Sequence, residues 1–368
     1  MTTADTSLAP RIALVGATGA VGGTLLDILE DHGSPYRALH LIASVRSAGR
    51  EIRAGGLDRP VRDLAGFDFR RADVAFFFAG AEVSRRWAPL AAAAGTLVVD
   101  GSSAFRLTED VPLVVPGING ALLDRRPAVG LVALPGAGAT ALARVLAPIV
   151  RRWTVRKVVV STYQPASEAG HAGVEELQEG TRIRLQDPEA PLPAEVFSPP
   201  LAFDVQSGTW AGAEPGRAAG GTWAGPPEDG FTEQERGLLE ETRRVLGLPG
   251  LDLTATCVRV PVAHGQCAAV WVDCALAVDR GALIAALRSA PGVTVHDGAG
   301  HATLTPAMPT PATLDDPDRV HVSRIRLSPA GPNGPTGFWL WLVADNLRSG
   351  AALGAFQVLG ELAARGTL

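Results

Sequence analysis

The feature that most constrains this chain lies near its start. A short β-branched run, Arg11 to Val15, leads directly into Gly16-Ala17-Thr18-Gly19-Ala20-Val21-Gly22. An amphipathic pattern follows, with Val21, Leu25, Ile28 and Leu29 on one helical face. A strand, a glycine-rich turn and a helix in that order set backbone N–H groups and a helix N-terminus where a pyrophosphate can sit. Glycine is needed because only a residue without Cβ permits so close an approach. Gly16, Thr18, Gly19, Ala20 and Val21 are therefore the expected phosphate-binding residues. Apolar runs at Leu39 to Ala43, Val74 to Phe78 and Leu97 to Asp100 continue the alternation of strand and helix, which predicts a parallel, doubly wound sheet. The second of these strands runs into Ser44-Val45-Arg46-Ser47. An acidic residue there would take a ribose 2′-hydroxyl, whereas Arg46 with Ser47 suits a 2′-phosphate, so the expected cofactor is NADP rather than NAD.

Near Trp153 the character changes. Val155 to Tyr163, Ala255 to Val262, Ala268 to Leu276 and Trp339 to Ala344 read as longer strands with short connections, which suits a mixed or antiparallel sheet. The Gly/Pro/Ala/Trp-rich stretch from Gln206 to Gly230 reads as a long loop. Gly350 to Arg365 reads as a helix that returns to the first domain. Hydrophobic residues make up 46% and charged residues 19%, the profile of a soluble globular enzyme. A formal charge of -5 argues against nucleic acid or an anionic membrane as partner. No stretch reaches membrane-spanning length, and Cys257, Cys267 and Cys274 have no metal-ligand spacing, so no metal and a reducing cytoplasmic compartment are expected.

Seven segments occur in the order found in aspartate-semialdehyde dehydrogenases. They are GATGAVG, ASVRSAG, Asp100-Gly101-Ser102-Ser103-Ala104-Phe105-Arg106, Val111 to Pro116, Ser161-Thr162-Tyr163-Gln164, Cys257-Val258-Arg259-Val260-Pro261-Val262 and Asp345-Asn346-Leu347-Arg348. The chain resembles that family over nearly its whole length. The resemblance implies an α/β architecture with a Rossmann domain over 1–135, completed by 347–368, and an α+β substrate-binding and dimerisation domain over 136–346. It implies a homodimer, NADP as cofactor and a small anionic carboxylate as substrate. Arg259 and Arg106 would grip anions, Gln164 would pack against the reacting group, and Ser167 and Asn346 would lie beside the nicotinamide.

The departures from the family carry as much information. The family's nucleophile segment, roughly Asn-Pro-Asn-Cys-Ser/Thr-Thr, corresponds here to Leu134-Pro135-Gly136-Ala137-Gly138-Ala139-Thr140. The interval from Ala137 to Pro148 equals the family's interval from cysteine to proline, so Ala137 falls at the nucleophile position without a gap. Counting from Arg259 in the same way sets Gln266 at the acid/base histidine, with His264 as the gapped alternative. The family's amine-holding Glu becomes Gln234, and a phosphate-holding Lys becomes Gly237. One gain stands against these losses. Where the family usually has Gln-Ala-Val-Ser-Gly-Ala-Gly, this chain reads Gln164-Pro165-Ala166-Ser167-Glu168-Ala169-Gly170-His171, so Glu168 and His171 would share a face if the segment is helical, and either could supply a proton. Cys267 adjoins Gln266 but points to the opposite strand face, where a small packed residue is expected rather than a relocated nucleophile.

The expected function is an NADPH-dependent oxidoreductase that transfers hydride directly to a C=O or C=N of a small carboxylate. Two other readings stay open at this point: a non-catalytic binding or regulatory relative, and a true aspartate-semialdehyde dehydrogenase with a rearranged site.

Overall fold

A computed structural model describes residues 9–33, 35–207, 229–296, 308–332 and 334–368. The chain divides into two compact units, Met1–Ala137 with Gly350–Leu368, and Gly138–Ser349.

The first unit is built on the opening strand. β1 (Arg11–Val15) has four consecutive fully buried residues, as a strand covered on both faces must. It lies between β2 (Ala38–Ala43) and β5 (Val74–Phe77), parallel to both. β6 (Leu97–Asp100) and β7 (Leu131–Ala133) extend one side of the sheet. The hairpin β3 (Glu51–Ala54) and β4 (Leu57–Asp63) extends the other, giving the order β3-β4-β2-β1-β5-β6-β7. Only the β3/β4 pair is antiparallel. The helix after β1, α1 (Ala20–Asp31), buries Leu25, Leu26, Ile28 and Leu29. The C-terminal helix α7 (Leu353–Arg365) joins the same core through Leu353, Val358, Leu359 and Leu362. The expected helix from Gly350 therefore starts later, because Arg348–Ala352 forms a wider turn interrupted at Gly350. A Cβ on Gly350 would lie 2.9 Å from that of Ala137, so the segment approaches too closely for a side chain there.

The second unit carries a mixed sheet of order β12-β13-β14-β11-β8-β10-β9. Its strands are β8 (Val155–Gln164), β9 (Gln206–Ser207), β10 (Asp252–Arg259), β11 (Gln266–Cys274), β12 (Val293–Val295), β13 (Val320–Leu327) and β14 (Gly337–Ala344). β10 runs parallel to β8, and β12 to β13; the other pairs are antiparallel. β10 ends three residues before the expected Val262, since Val260 and Val262 turn their N–H groups to Gln164 and Val260 carbonyls around Pro261. The expected loop from Gln206 opens instead with the two residues of β9, and its stretch from 208 to 228 lies outside the described residues.

Period-two alternation decides the two faces of this sheet. Val158, Val160, Thr162 and Gln164 of β8 are buried, while Val159, Ser161 and Tyr163 between them are half-buried. The buried face packs against α3 (Ala137–Arg152), α5 (Glu233–Leu246) and α6 (Arg280–Arg288), through residues such as Leu146, Leu238 and Leu283. α5 starts with a full capping box: Thr232 Oγ1 accepts from Glu235 N–H, and the Glu235 carboxylate accepts from Thr232 N–H. No helix among the described residues is long and apolar enough to cross a membrane.

Candidate functional site

In the first unit the glycine turn follows from packing that forbids side chains. Gly16 has φ 92°, and a Cβ on it would stand 2.6 Å from the carbonyl oxygen of Phe78. A Cβ on Gly22 would lie 2.3 Å from the carbonyl oxygen of Gly16, so helix and turn pack backbone to backbone. Gly16 and Ala17 N–H groups bond to Ile42 O, and Gly19 N–H bonds back to Gly16 O. α1 then begins at Ala20 without a side-chain cap, so Thr18, Ala20 and Val21 stand at an uncapped helix N-terminus suited to a phosphate. Beyond β2, Ser44 to Ala48 form a turn closed by the Ser47 and Ala48 N–H groups on Ser44 O; Arg46 is exposed on it and Ser47 half-buried.

Arg106 is placed differently from a free anion grip. Its Nε donates to Leu134 O at 2.9 Å and its Nη2 to Gly101 O at 2.8 Å, so two of its donors fasten the Leu134–Ala137 segment to the end of β6. Asp100, at that strand end, accepts from the Ser84 and Ser102 hydroxyls. Burial still pushes its carboxyl above the ordinary range.

In the second unit the register brings three expected residues into one row. Arg259 of β10 pairs with Gln164 of β8, and the pairing of Cys267 with Tyr163 sets Gln266 of β11 on the other side of Gln164. All three are buried on the helix-covered face. Gln266 reaches the start of α3, its Oε1 lying 3.9 Å from the place a Cβ of Gly138 would take. Gln266 lines a small, mostly apolar cavity with Gly138, Leu142, Leu238 and Ala344. Its Nε2 and the Nε of Arg259 are buried donors without a hydrogen-bond partner. Such donors are uncommon, and an acceptor on a ligand satisfies them.

Glu168 joins this row from the side. Its side chain is 19% exposed although the residue as a whole is open, and its Oε2 lies 3.9 Å from Arg259 Nη2. Gln234 of α5 donates to the same carboxylate at 2.9 Å. The Arg259 guanidinium also lies 5.2 Å over the Phe197 ring, and its Nη1 donates to Pro165 O at 3.2 Å. Burial pulls Arg259 below its ordinary pKa, and the charge of Glu168 opposes that. Close by, Asn346 donates to Ser167 Oγ at 3.0 Å and accepts from Gly265 N–H at 2.9 Å, so the two residues expected beside the nicotinamide hold each other.

The two histidines fall outside this cluster. His264 and His171 are exposed. Glu168 lies in a 3-10 turn, Ala166–Ala169, and α4 (Gly170–Gln186) starts afresh after it. Gly170 between them has φ 75°, so Glu168 and His171 do not share one helical face, contrary to expectation. Cys267 does point away from Gln266, but it is half-buried on the open face of the sheet rather than packed in the core. The contribution of Phe197 has no counterpart in the sequence reading, because an aromatic in a Pro-rich loop carries no periodic signal.

The fold and this arrangement define a dinucleotide-binding oxidoreductase of two domains. Residues 11–125 match the semialdehyde dehydrogenase NAD-binding domain, and residues 146–215 and 222–349 the semialdehyde dehydrogenase dimerisation domain. An aspartate-semialdehyde dehydrogenase of Aquifex aeolicus is 34% identical over 97% of this chain and 99% of its own length. The crystal structure of aspartate-semialdehyde dehydrogenase II from Vibrio cholerae superposes with a TM-score of 0.85 at 32% identity, covering 98% of this chain and 100% of that one. The Candida albicans enzyme, solved with NADP, shares the fold at TM-score 0.70 and 20% identity, over 98% of this chain and 100% of that one. The chain belongs to the aspartate-semialdehyde dehydrogenase family.

Proposed function

We propose that this family member is an NADP-dependent oxidoreductase that works without a thiol nucleophile and reduces a C=N bond, or a C=O bond, in a small carboxylate-bearing substrate. One observation carries the proposal: α3 opens on Ala137, where the resemblance sets the nucleophile, and Gln266 lies against the next residue. Alanine has no lone pair to add to a carbonyl. Cys257, Cys267 and Cys274 make poor replacements, because burial pushes each thiol up to about 11. The attacking species is the thiolate, which is then scarce near neutral pH.

The glycine turn and Arg46 with Ser47 are the residues that would hold NADP, its pyrophosphate at α1 and its 2′-phosphate at the turn after β2. When bound, NADPH supplies a hydride to the substrate carbon. The protein's own residues then have three tasks. Arg259 Nε and Gln266 Nε2, the unpartnered donors, take acceptor oxygens of the substrate. Glu168 offers a negative charge beside Arg259, so the pair fits a zwitterion, with carboxylate to guanidinium and iminium or ammonium to Glu168. Gln234 keeps the Glu168 carboxylate in place. In this way the negative charge absent at 234 is supplied from 168, and charge balance suits an amino-acid-like substrate. An iminium already carries its proton, so hydride addition at carbon leaves a neutral amine that takes its proton from solvent. The C=N reading is preferred for that reason, since neither histidine lies in the row.

The experiment is NADPH consumption with 2-oxo acids in the presence of ammonium or methylamine, before and after treatment with N-ethylmaleimide. Turnover that survives alkylation is expected. Oxidation of aspartate semialdehyde with phosphate and NADP, abolished by alkylation, would overturn the proposal and make one of the cysteines the nucleophile. NADPH binding without turnover of any such substrate would favour a regulatory relative instead.

A further inference from the structure

A second cluster of chemistry-bearing side chains lies outside this row. His296 follows β12 directly and its N–H bonds to Val322 O, while His321 is the second residue of β13, paired with Thr294. Of the row's three strands β11, which carries Gln266, is nearest to β13, and β14 stands between them. At about 4.8 Å per strand step, the two sites are about 10 Å apart along the sheet.

His321 is completely buried, and its Nε2 lies 2.7 Å from the backbone carbonyl of Asp316. A carbonyl only accepts, so Nε2 carries the hydrogen and the neutral ring presents a bare lone pair at Nδ1. That lone pair faces His296 Nε2 at 2.8 Å and the Asp315 carboxylate at 3.6 Å. The three donor atoms lie within 4.8 Å of one another. With its hydrogen on Nε2 a neutral His296 donates to that lone pair, and with the hydrogen on Nδ1 the two ring nitrogens and the carboxylate offer three electron pairs within metal-ligating reach.

We propose that His296, His321 and Asp315 bind a divalent transition-metal ion of the zinc class. Two imidazole nitrogens and one carboxylate oxygen are the donor set that borderline metals prefer over magnesium or calcium. The hydrogen bond from His321 Nε2–H to a carbonyl is the outer contact that fixes the ligating tautomer and orients the ring. Tetrahedral Zn–N bonds of about 2.05 Å set two nitrogens about 3.3 Å apart, so the rings need to open by only about half an ångström. Such a movement is open to His296, which is half-buried at a strand end. Asp315 is exposed, which leaves the fourth position to water. The ion would tie the edge strand β12 and the segment before β13 to the sheet. Sequence spacing gave no hint of it, because parallel pairing of two separated strands brings the histidines together.

The test is titration of the chelator-treated, full-length protein with Zn2+, Co2+ and Mg2+, followed by calorimetry and thermal shift, with visible absorption for cobalt. Saturable 1:1 binding of Zn2+ and Co2+, tetrahedral cobalt bands, a raised melting temperature and no response to Mg2+ are expected. His296→Ala and Asp315→Asn change accessible positions and should each weaken Zn2+ binding at least tenfold while the fold survives, as read by circular dichroism. No saturable binding, or Zn2+ binding that both variants leave unchanged, would overturn the proposal.

Discussion

Arg46, on an exposed turn, is the residue proposed to choose between the two nicotinamide cofactors. Removing a charged partner of a phosphate costs about 1.5–3 kcal/mol of binding. Arg46→Ala should therefore lose that much NADPH affinity and leave NADH affinity almost unchanged, as nicotinamide fluorescence titration would show; equal losses for both cofactors would discard the 2′-phosphate argument. The cysteines make a second, pH-dependent expectation. Burial raises each thiol from 9.0 to about 11 in the folded chain, so folded protein holds protons that unfolded protein gives up. Stability from these groups is whole below pH 9 and is lost as pH climbs toward 11. Melting temperature should fall over that window in wild type, and less in a Cys257→Ser variant. Native iodoacetamide treatment at pH 7.5 should leave the mass nearly unchanged, whereas unfolding should expose every thiol. Residues of this kind were partly readable in advance: the glycine turn and Arg46 from local order, and Arg259, Gln164 and Gln266 from the family resemblance, while the structure adds the register that sets the last three in one row. Glu168 was legible as a gain, but its partners Gln234 and Arg259 were not, since no spacing rule joins a loop, a helix and a strand.

At the level of elements, apolar periodicity exposed most strands with buried runs, though not the three-residue β7, and missed those with mixed ones. β3 and β4 alternate charged and apolar residues at a sheet edge, as Glu51-Ile52-Arg53-Ala54 illustrates, and their exposed face hides them among loops. β13 is fully buried over Val320 to Ser323 but contains His321 and Ser323, polar residues that break an apolar run on paper. The break at Gly170 follows from its positive φ, and one glycine among several cannot be singled out by composition. α5 offers the sharpest test at this scale, because its N-terminus positions Gln234 two residues after the cap. Thr232→Ala removes the half of the capping box that accepts from Glu235 N–H, while the Glu235 carboxylate keeps the backbone N–H of residue 232 and that of Cys257 at 2.9 Å. A loss of about 1 kcal/mol is expected, seen as a drop of a few degrees in the melting temperature. Thr232→Ser should restore most of it. An unchanged melting point in Thr232→Ala would mean that tertiary packing alone holds the first turn.

For the whole molecule, the assembly to be expected follows from the open face of the second unit's sheet. Helices cover one face, and the other presents Tyr163, Trp271, Trp339 and Trp341. Tyr163 meets Trp341 at 5.5 Å between ring centroids, and Trp271 meets Trp339 at 5.3 Å, so two aromatic pairs make a stripe on this face from β8, β11 and β14. Trp339 keeps 39% of its surface in a single chain, and alternate residues such as Val159 and Cys267 are only half covered. No helix among the described residues covers this face, and a broad apolar sheet face left open is an aggregation hazard unless a partner buries it. A second copy is the partner that this chain always has at hand, and a two-fold axis lets the same stripe meet itself. Arg324 and Arg326 stand exposed along β13, a polar edge of the sort that rims an interface. The protein is therefore expected as a homodimer at micromolar concentration, measured by light scattering after size-exclusion chromatography. Trp339→Glu sets a charge in the middle of the stripe and should shift the mass toward the monomer, with the far-ultraviolet spectrum retained. Loss of a buried aromatic at an interface commonly costs 2 kcal/mol or more, about a thirtyfold change in dissociation constant. A monomeric wild type would remove the sheet face as an interface, and a Trp339→Glu protein that remains dimeric would move the interface to another surface.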